Sequence, residues 1–265
     1  MKQPQVSVRI PVFADGRPEG ITISQPGRAG LLADLERLMA ARQGFTLATL
    51  NMDHLVKLRR DPAFLAAYQA HSHVVADGNP VVWLSKLAGN RVELIPGSEL
   101  VAPLADLAAR TGTRVGLVGS TDDVLAATAA RLEQAHPGLN IALCHAPPFG
   151  FDPTGPQADQ VIALLERHEI GLCFLALGAP RQEIFAAHAA PRLPRCGFAS
   201  VGAGLDFIAG RQVRAPKWVQ AAAMEWAWRM VGNPRRLARR YADCFAILPG
   251  LAMKARRSRA RAGET

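Results

Sequence analysis

The side chains of this 265-residue chain best suited to chemistry lie in short polar stretches that each follow an apolar run. Asp77 comes after Val74 to Ala76 and before Gly78, which frees the backbone to bend. A carboxylate partly shielded by apolar walls can have its pKa moved toward the working range of a general base. The same Asp ahead of Asn79-Pro80 also suits a helix N-cap, and on this motif alone the cap is the commoner outcome. Catalysis gains ground because the other acids of these stretches, Asp122 and Glu183, fall inside helix starts. Gly178-Ala179-Pro180-Arg181-Gln182-Glu183 follows Leu172 to Leu177 and combines a tight turn with a Pro near the first helical position. Exposed N–H groups at such a helix start suit the diphosphate of a nucleotide. The Gln182 amide can both donate to and accept from a sugar or base edge. An ordinary strand-to-helix turn is the plainer account of the same residues. Thr49 and Asn51 close another apolar run, Gly119-Ser120-Thr121-Asp122 a third, and Gly202-Ala203-Gly204 a weaker fourth.

Other chemistries find less support. Gly202-Ala203-Gly204 could open a dinucleotide fingerprint, but Phe207 stands where the third Gly belongs, which disfavours a nicotinamide enzyme acting on nucleotide sugars. The phosphate-binding GxxxxGK[ST] pattern is absent. The seven histidines show no HxxxH or HExxH spacing, so no metal is expected. Cys144, Cys173, Cys196 and Cys244 form no CxxC pair, and we expect all four as reduced, mostly buried thiols of a cytoplasmic protein. There is no secretory signal pattern and no run near the roughly 20 apolar residues of a membrane span, so any membrane contact is expected to be peripheral, from the cytoplasmic side.

The elements that must position these loops can be read from periodicity. Val6 to Phe13 alternates as a half-buried strand, and Gly16 to Gly30 reads as a turn-rich connection. Apolar β-type runs recur at Phe45 to Leu50, Val74 to Ala76, Arg114 to Val118, Ile141 to Cys144, Leu172 to Leu177 and Gly197 to Val201. Helix-period segments separate them at Ala63 to Ala70, Pro80 to Leu87, Glu99 to Ala109, Val124 to Glu133, Val161 to Arg167 and Gln182 to Ala190. This alternation predicts an α/β fold, a Rossmann-like parallel sheet flanked by helices, with ligands at the carboxyl ends of its strands.

Charge divides the chain in two. Residues 211–265 hold 13 of the 31 Lys and Arg and 3 of the 22 Asp and Glu, leaving a neutral body of 18 against 19. We therefore expect a core over 1–210 and a helical, membrane-associating appendage over 211–265. Trp218, Trp226 and Trp228 lie in an apolar helix-like segment, Pro216 to Met230. Asn233 then caps, and Pro234 starts, a second helix. On it Leu237, Tyr241 and Phe245 should line one side, with Arg235, Arg236, Arg239 and Arg240 on the other. A solvated basic face is the usual meaning of such a run; the aromatic residues favour an anionic membrane interface. A nucleic-acid-binding protein would also explain the charge, but no nucleic-acid motif accompanies it.

Taken in order, these residues resemble the WecG/TagA/CpsF family of bacterial glycosyltransferases, from about Phe45 to about Tyr241. The carriers are Thr49-Leu50-Asn51, Ala76-Asp77-Gly78, Pro96-Gly97-Ser98-Glu99-Leu100, Leu117-Val118-Gly119-Ser120, Gly178 to Glu183, Val201 to Phe207 and Arg214-Ala215-Pro216. Glu225-Trp226 with Arg229, and Pro234 to Leu237 with Arg239-Arg240-Tyr241, complete the set. The resemblance implies an inverting, metal-free enzyme that moves a sugar from a UDP-sugar to a polyprenyl-diphosphate-linked sugar at the cytoplasmic membrane face. On that reading Asp77 is the general base, Thr49, Asn51 and Gln182 position the sugars, and the Gly178 and Gly202 loops hold the nucleotide. Gly119, Pro180, Glu183 and Gly204 join the substrate-binding set, and Arg214, Arg229 and Arg236 face the lipid diphosphate. UDP-sugar, lipid-linked sugar and anionic membrane are then the partners, nucleic acid is not one, and a homo-oligomer is left open. The chain departs from the family pattern at Leu94, where an Arg is usual, and at Glu99, which replaces an Asp.

Overall fold

A computed structural model describes residues 8–11, 20–212, 228 and 234–262, with side chains described for 20–212, 228 and 238–259. The expected α/β fold is present. Six parallel strands form its sheet: β3 (Phe45–Leu50), β4 (His73–Ala76), β5 (Arg114–Gly119), β6 (Asn140–His145), β7 (Leu172–Ala176) and β8 (Gly197–Ser200), in the order β4-β3-β8-β7-β5-β6. A separate antiparallel pair joins β1 (Val8–Pro11) to β2 (Gly20–Ile23).

Five of the strands are buried along nearly their whole length because both faces of the sheet are covered, while the edge strand β6 stays partly exposed. On one face Phe45, Leu47, Val75, Val115, Leu117, Phe174 and Ala199 pack against α1 (Arg28–Ala40), α5 (Gly97–Thr111) and α6 (Asp122–Ala135). On the other, Val118, Cys173, Leu175 and Phe198 meet α7 (Pro156–Arg167) and α8 (Arg181–Ala189). Nearer β4, Ala48, Leu50, Val74 and Ala76 meet α2 (Met52–Leu58), α3 (Pro62–Ala70), α4 (Asn79–Leu87) and β2. A short helix, α9 (Gly204–Ile208), leaves β8.

Three helices and one strand escaped the periodicity analysis, the short α9 among them. Arg28–Ala40 buries Leu31, Leu35 and Met39, a stripe spaced four residues apart that the glycines before it obscured. Met52–Leu58 follows β3 without a break, capped by Asn51, whose Oδ1 accepts from the His54 N–H at 3.1 Å. The stretch read as turn-rich contains β2, with Ile21 and Ile23 fully buried.

The basic appendage ends in a 29-residue helix, α10 (Pro234–Ala262), which packs on α4 and α2 and touches β1. Its contacts revise the sequence-based phase. Cys244, Leu251 and Ala255 are the buried positions, supported by Ile247, Leu248 and Ala252, whereas Phe245 is 53% exposed. Arg240, expected on the solvated side, instead meets Asp53 with Nε–Oδ1 at 3.0 Å. The segment Pro216 to Met230 lies outside the described residues except for Trp228, which is exposed. Cys173, Cys196 and Cys244 are buried free thiols, and Cys144 is exposed.

Candidate active site at the carboxyl edge of the sheet

Strand register assembles the site. Leu50 pairs with Ala76, which places Asn51 beside Asp77, and the Asp77 N–H donates to the Leu50 carbonyl at 2.8 Å. On the other side of β3, the N–H groups of Val201 and Gly202 both donate to the Leu175 carbonyl, drawing the loop after β8 against the end of β7. The loops after β3, β4, β7 and β8 therefore share one rim. Gly119 ends β5 opposite Ala176 and extends that rim.

At Asp77 the helix start bears on the capping alternative. The N-cap of α4 is Gly78, with φ of 112°, so Asp77 stands one residue ahead of the cap position, partly exposed at the strand end. That left-handed turn is one a side chain rarely adopts. A Cβ placed on Gly78 would also come within 4.0 Å of the Asn51 Cβ, so the two loops lie in contact distance. Asn51 thus combines a place on the rim with a helix-capping bond. Thr49 is buried against the start of α5: a Cβ on Gly97 would lie 3.1 Å from its Oγ1.

The loop after β7 carries the densest chemistry. Gly178 has φ of 72° with open space around it, and Pro180 forms the N-cap of α8. Gln182 and Glu183 are both buried, and the Gln182 Nε2 donates to Glu183 Oε1 at 2.7 Å. Burial pushes the Glu183 carboxyl up to about 7, against the opposing pull of the Gln182 amide and the Lys57 charge. Among the described residues, Gln182 Oε1, Glu183 Oε2 and Ser200 Oγ are buried without a hydrogen-bond partner. Each such atom costs about 1–3 kcal/mol unless something bonds to it. A Cβ on Gly202 would lie 3.8 Å from Gln182 Oε1, which sets that acceptor at the Gly202 turn.

Several neighbours of this site carry no signature in the sequence. Tyr68 and His54 share a hydrogen bond of 2.6 Å, Nδ1 to Oη. Burial lowers His54 to about 3 and raises the Tyr68 hydroxyl well above its ordinary value, with Glu183 and Asp77 adding to the rise. Lys57 donates to the Ala179 carbonyl at 3.0 Å and pairs with Asp53 at 2.8 Å. These contacts bridge segments far apart in the chain, so local pattern could not disclose them.

Two of the glycines serve packing. At Gly119 a Cβ would fall 2.4 Å from the Ala176 carbonyl carbon, and at Gly204 it would crowd Ser98 and Val101 of α5. Arg28 pairs with Glu99 at 2.5 Å and approaches Glu93 at 3.9 Å, which gives Glu99 a cation drawn from α1. Leu94 forms a bridge to Ala76 at the edge of β4. Arg214, Arg229 and the Arg236 side chain lie outside the described residues.

The chain is 26% identical over 198 residues to the N-acetylglucosaminyldiphosphoundecaprenol N-acetyl-beta-D-mannosaminyltransferase of Bacillus subtilis (strain 168), covering 74% of this chain and 75% of that protein. The model of the glycosyl transferase WecG/TagA/CpsF family matches residues 18–262, nearly the whole chain, and the chain accordingly belongs to that family of glycosyltransferases.

Proposed function

We propose that this enzyme is an inverting hexosyltransferase that moves a sugar from a UDP-sugar to a polyprenyl-diphosphate-linked sugar, building a bacterial surface or exopolysaccharide. The Bacillus subtilis relative, an N-acetyl-beta-D-mannosaminyltransferase acting on N-acetylglucosaminyldiphosphoundecaprenol, supports sugar transfer to an acceptor of this class. The observation that carries the reading is the shared rim, on which Asp77 stands beside Asn51 and opposite the Gly178 and Gly202 turns. In this scheme Asp77 takes the proton of the acceptor hydroxyl. The freed oxygen bonds to the anomeric carbon on one face while the bond to the UDP oxygen breaks on the other. Backbone N–H groups of the glycine turns and the arginines Arg214, Arg229 and Arg236 balance the diphosphate charges in place of a metal. Thr49, Asn51 and Gln182 position the sugars, with Gly119, Pro180, Glu183 and Gly204 shaping the pocket around them. The enzyme works at the cytoplasmic membrane face; among the described residues no helix is long and apolar enough to cross a membrane.

The test is transfer by purified protein from a panel of UDP-sugars to a short-chain polyprenyl-diphosphate sugar. Asp77→Asn should lower turnover about 100 to 10,000-fold, the usual worth of a general base, without changing the circular dichroism spectrum. EDTA should leave the rate unchanged, and NMR should show the inverted anomer. Near wild-type transfer by Asp77→Asn would refute the assignment.

A further inference from the structure

One arginine of the basic helix faces inward, and what it meets leads directly to the donor loop. Asp53 lies in the first turn of α2, where the helix dipole favours a carboxylate, and its side chain is only 12% exposed. Its two oxygens serve different cations: Oδ2 holds Lys57 Nζ at 2.8 Å and Oδ1 holds Arg240 Nε at 3.0 Å. Lys57, one turn further along α2, also donates to the Ala179 carbonyl at 3.0 Å. That carbonyl belongs to the residue just before Pro180, the N-cap of α8. A continuous set of charge-assisted contacts therefore runs from α10 through α2 to the turn that opens α8. Neighbouring groups feel the same charges: His54 responds to Asp53, Lys57 and Arg240, and Glu183 responds to Lys57 and Asp53.

We propose that Asp53 is a positioning residue for transfer, joining Arg240 to Lys57 so that the seating of α10 fixes the Ala179 carbonyl and, with it, the Gly178–Pro180 turn. With Arg240 in place, Asp53 is held on both oxygens and Lys57 is held over the turn. Without it, Asp53 and Lys57 can turn together toward solvent, and the carbonyl loses its donor. The inference rests on the proposed role of that turn in holding the donor nucleotide.

Two measurements separate the parts. Hydrogen–deuterium exchange on the full chain needs no substrate. Arg240→Ala, Lys57→Ala and the isosteric Asp53→Asn should each speed exchange in the peptide covering residues 177–184, leaving the amides of β5 and β7 protected. Arg240→Lys, which keeps the charge, should restore most of the protection. In the transfer assay, Arg240→Ala and Lys57→Ala should each raise the donor KM about tenfold with a smaller change in kcat. The double variant should again show about tenfold rather than about 100-fold, because both act through the one contact of Lys57 with the Ala179 carbonyl. Unchanged exchange at 177–184 in the Arg240→Ala and Asp53→Asn proteins, or additive KM effects, would overturn the proposal. Altered exchange in a protein with no transferase activity would instead overturn the proposed function and leave the coupling standing.

Discussion

At the scale of single residues, glycines that look alike in sequence do unlike work. Gly119 and Gly178 both follow apolar strands and both have positive φ, yet only Gly119 is pressed against a neighbouring backbone. Gly178→Ala should therefore cost about 1 kcal/mol of conformational strain. Gly119→Ala should cost several times more, since the Ala176 carbonyl cannot yield as a flexible side chain does. Urea unfolding of the two variants compares them directly. Glu183 supplies a pH signature. Its folded pKa, about 7, lies above the ordinary 4.5, so the folded state holds the proton more tightly. Its stabilising contribution is full below about pH 4.5, falls as pH rises toward 7, and is flat above that. Over this window the wild type should lose on the order of 3 kcal/mol relative to Glu183→Gln, whose curve lacks that slope. Parallel curves for the two proteins would show that Glu183 is not held protonated. Asp77, Asn51, Gln182 and Glu183 were legible because a strand end followed by a turn marks the rim wherever the sheet is parallel. Asp53, Lys57, His54 and Tyr68 were not, because what makes them neighbours of the site is the packing of α2 and α3 beneath α8.

At the scale of elements, the sheet was readable almost to the residue, since strands buried on both faces write a continuous apolar run. The helices gave a weaker signal where they were short or abutted a strand, as α2 does. The phase of α10 illustrates a different limit. Leu237, Tyr241 and Phe245 form a plausible stripe, but among the described side chains Cys244, Leu251 and Ala255 are buried and Phe245 is exposed, Leu237 lies outside them, and an acid on α2 draws Arg240 into an ion pair. Residue type alone ranks an arginine as solvated; a carboxylate waiting beneath it reverses that order. Leu251 is 7% exposed, so Leu251→Ala should destabilise by about 2–5 kcal/mol. A denaturation midpoint equal to that of the wild type would show that α10 does not share the cooperative unit.

At the scale of the molecule, charge and chemistry are set on opposite parts of the chain. The rim belongs to a neutral body, whereas Arg256, Arg257 and Arg259 lie exposed toward the end of α10. Flotation with vesicles containing anionic phosphatidylglycerol should therefore succeed at physiological salt and weaken as salt is raised. Duplex DNA of equal phosphate concentration should bind less; tighter binding to DNA would reopen the nucleic-acid reading.

The cluster that seats α10 also contains Ile21 and Ile23, so nearly the whole chain separates members of one packed cluster. Contacts of such long range form slowly, because a large loop must close before they give any return. During synthesis the apolar surface of α2 and α4 must wait, uncovered, until Leu251 has been made. On this view a nascent chain has its sheet before it has the helix that covers α2 and α4, and Asp53 gains its second cation only when Arg240 has arrived.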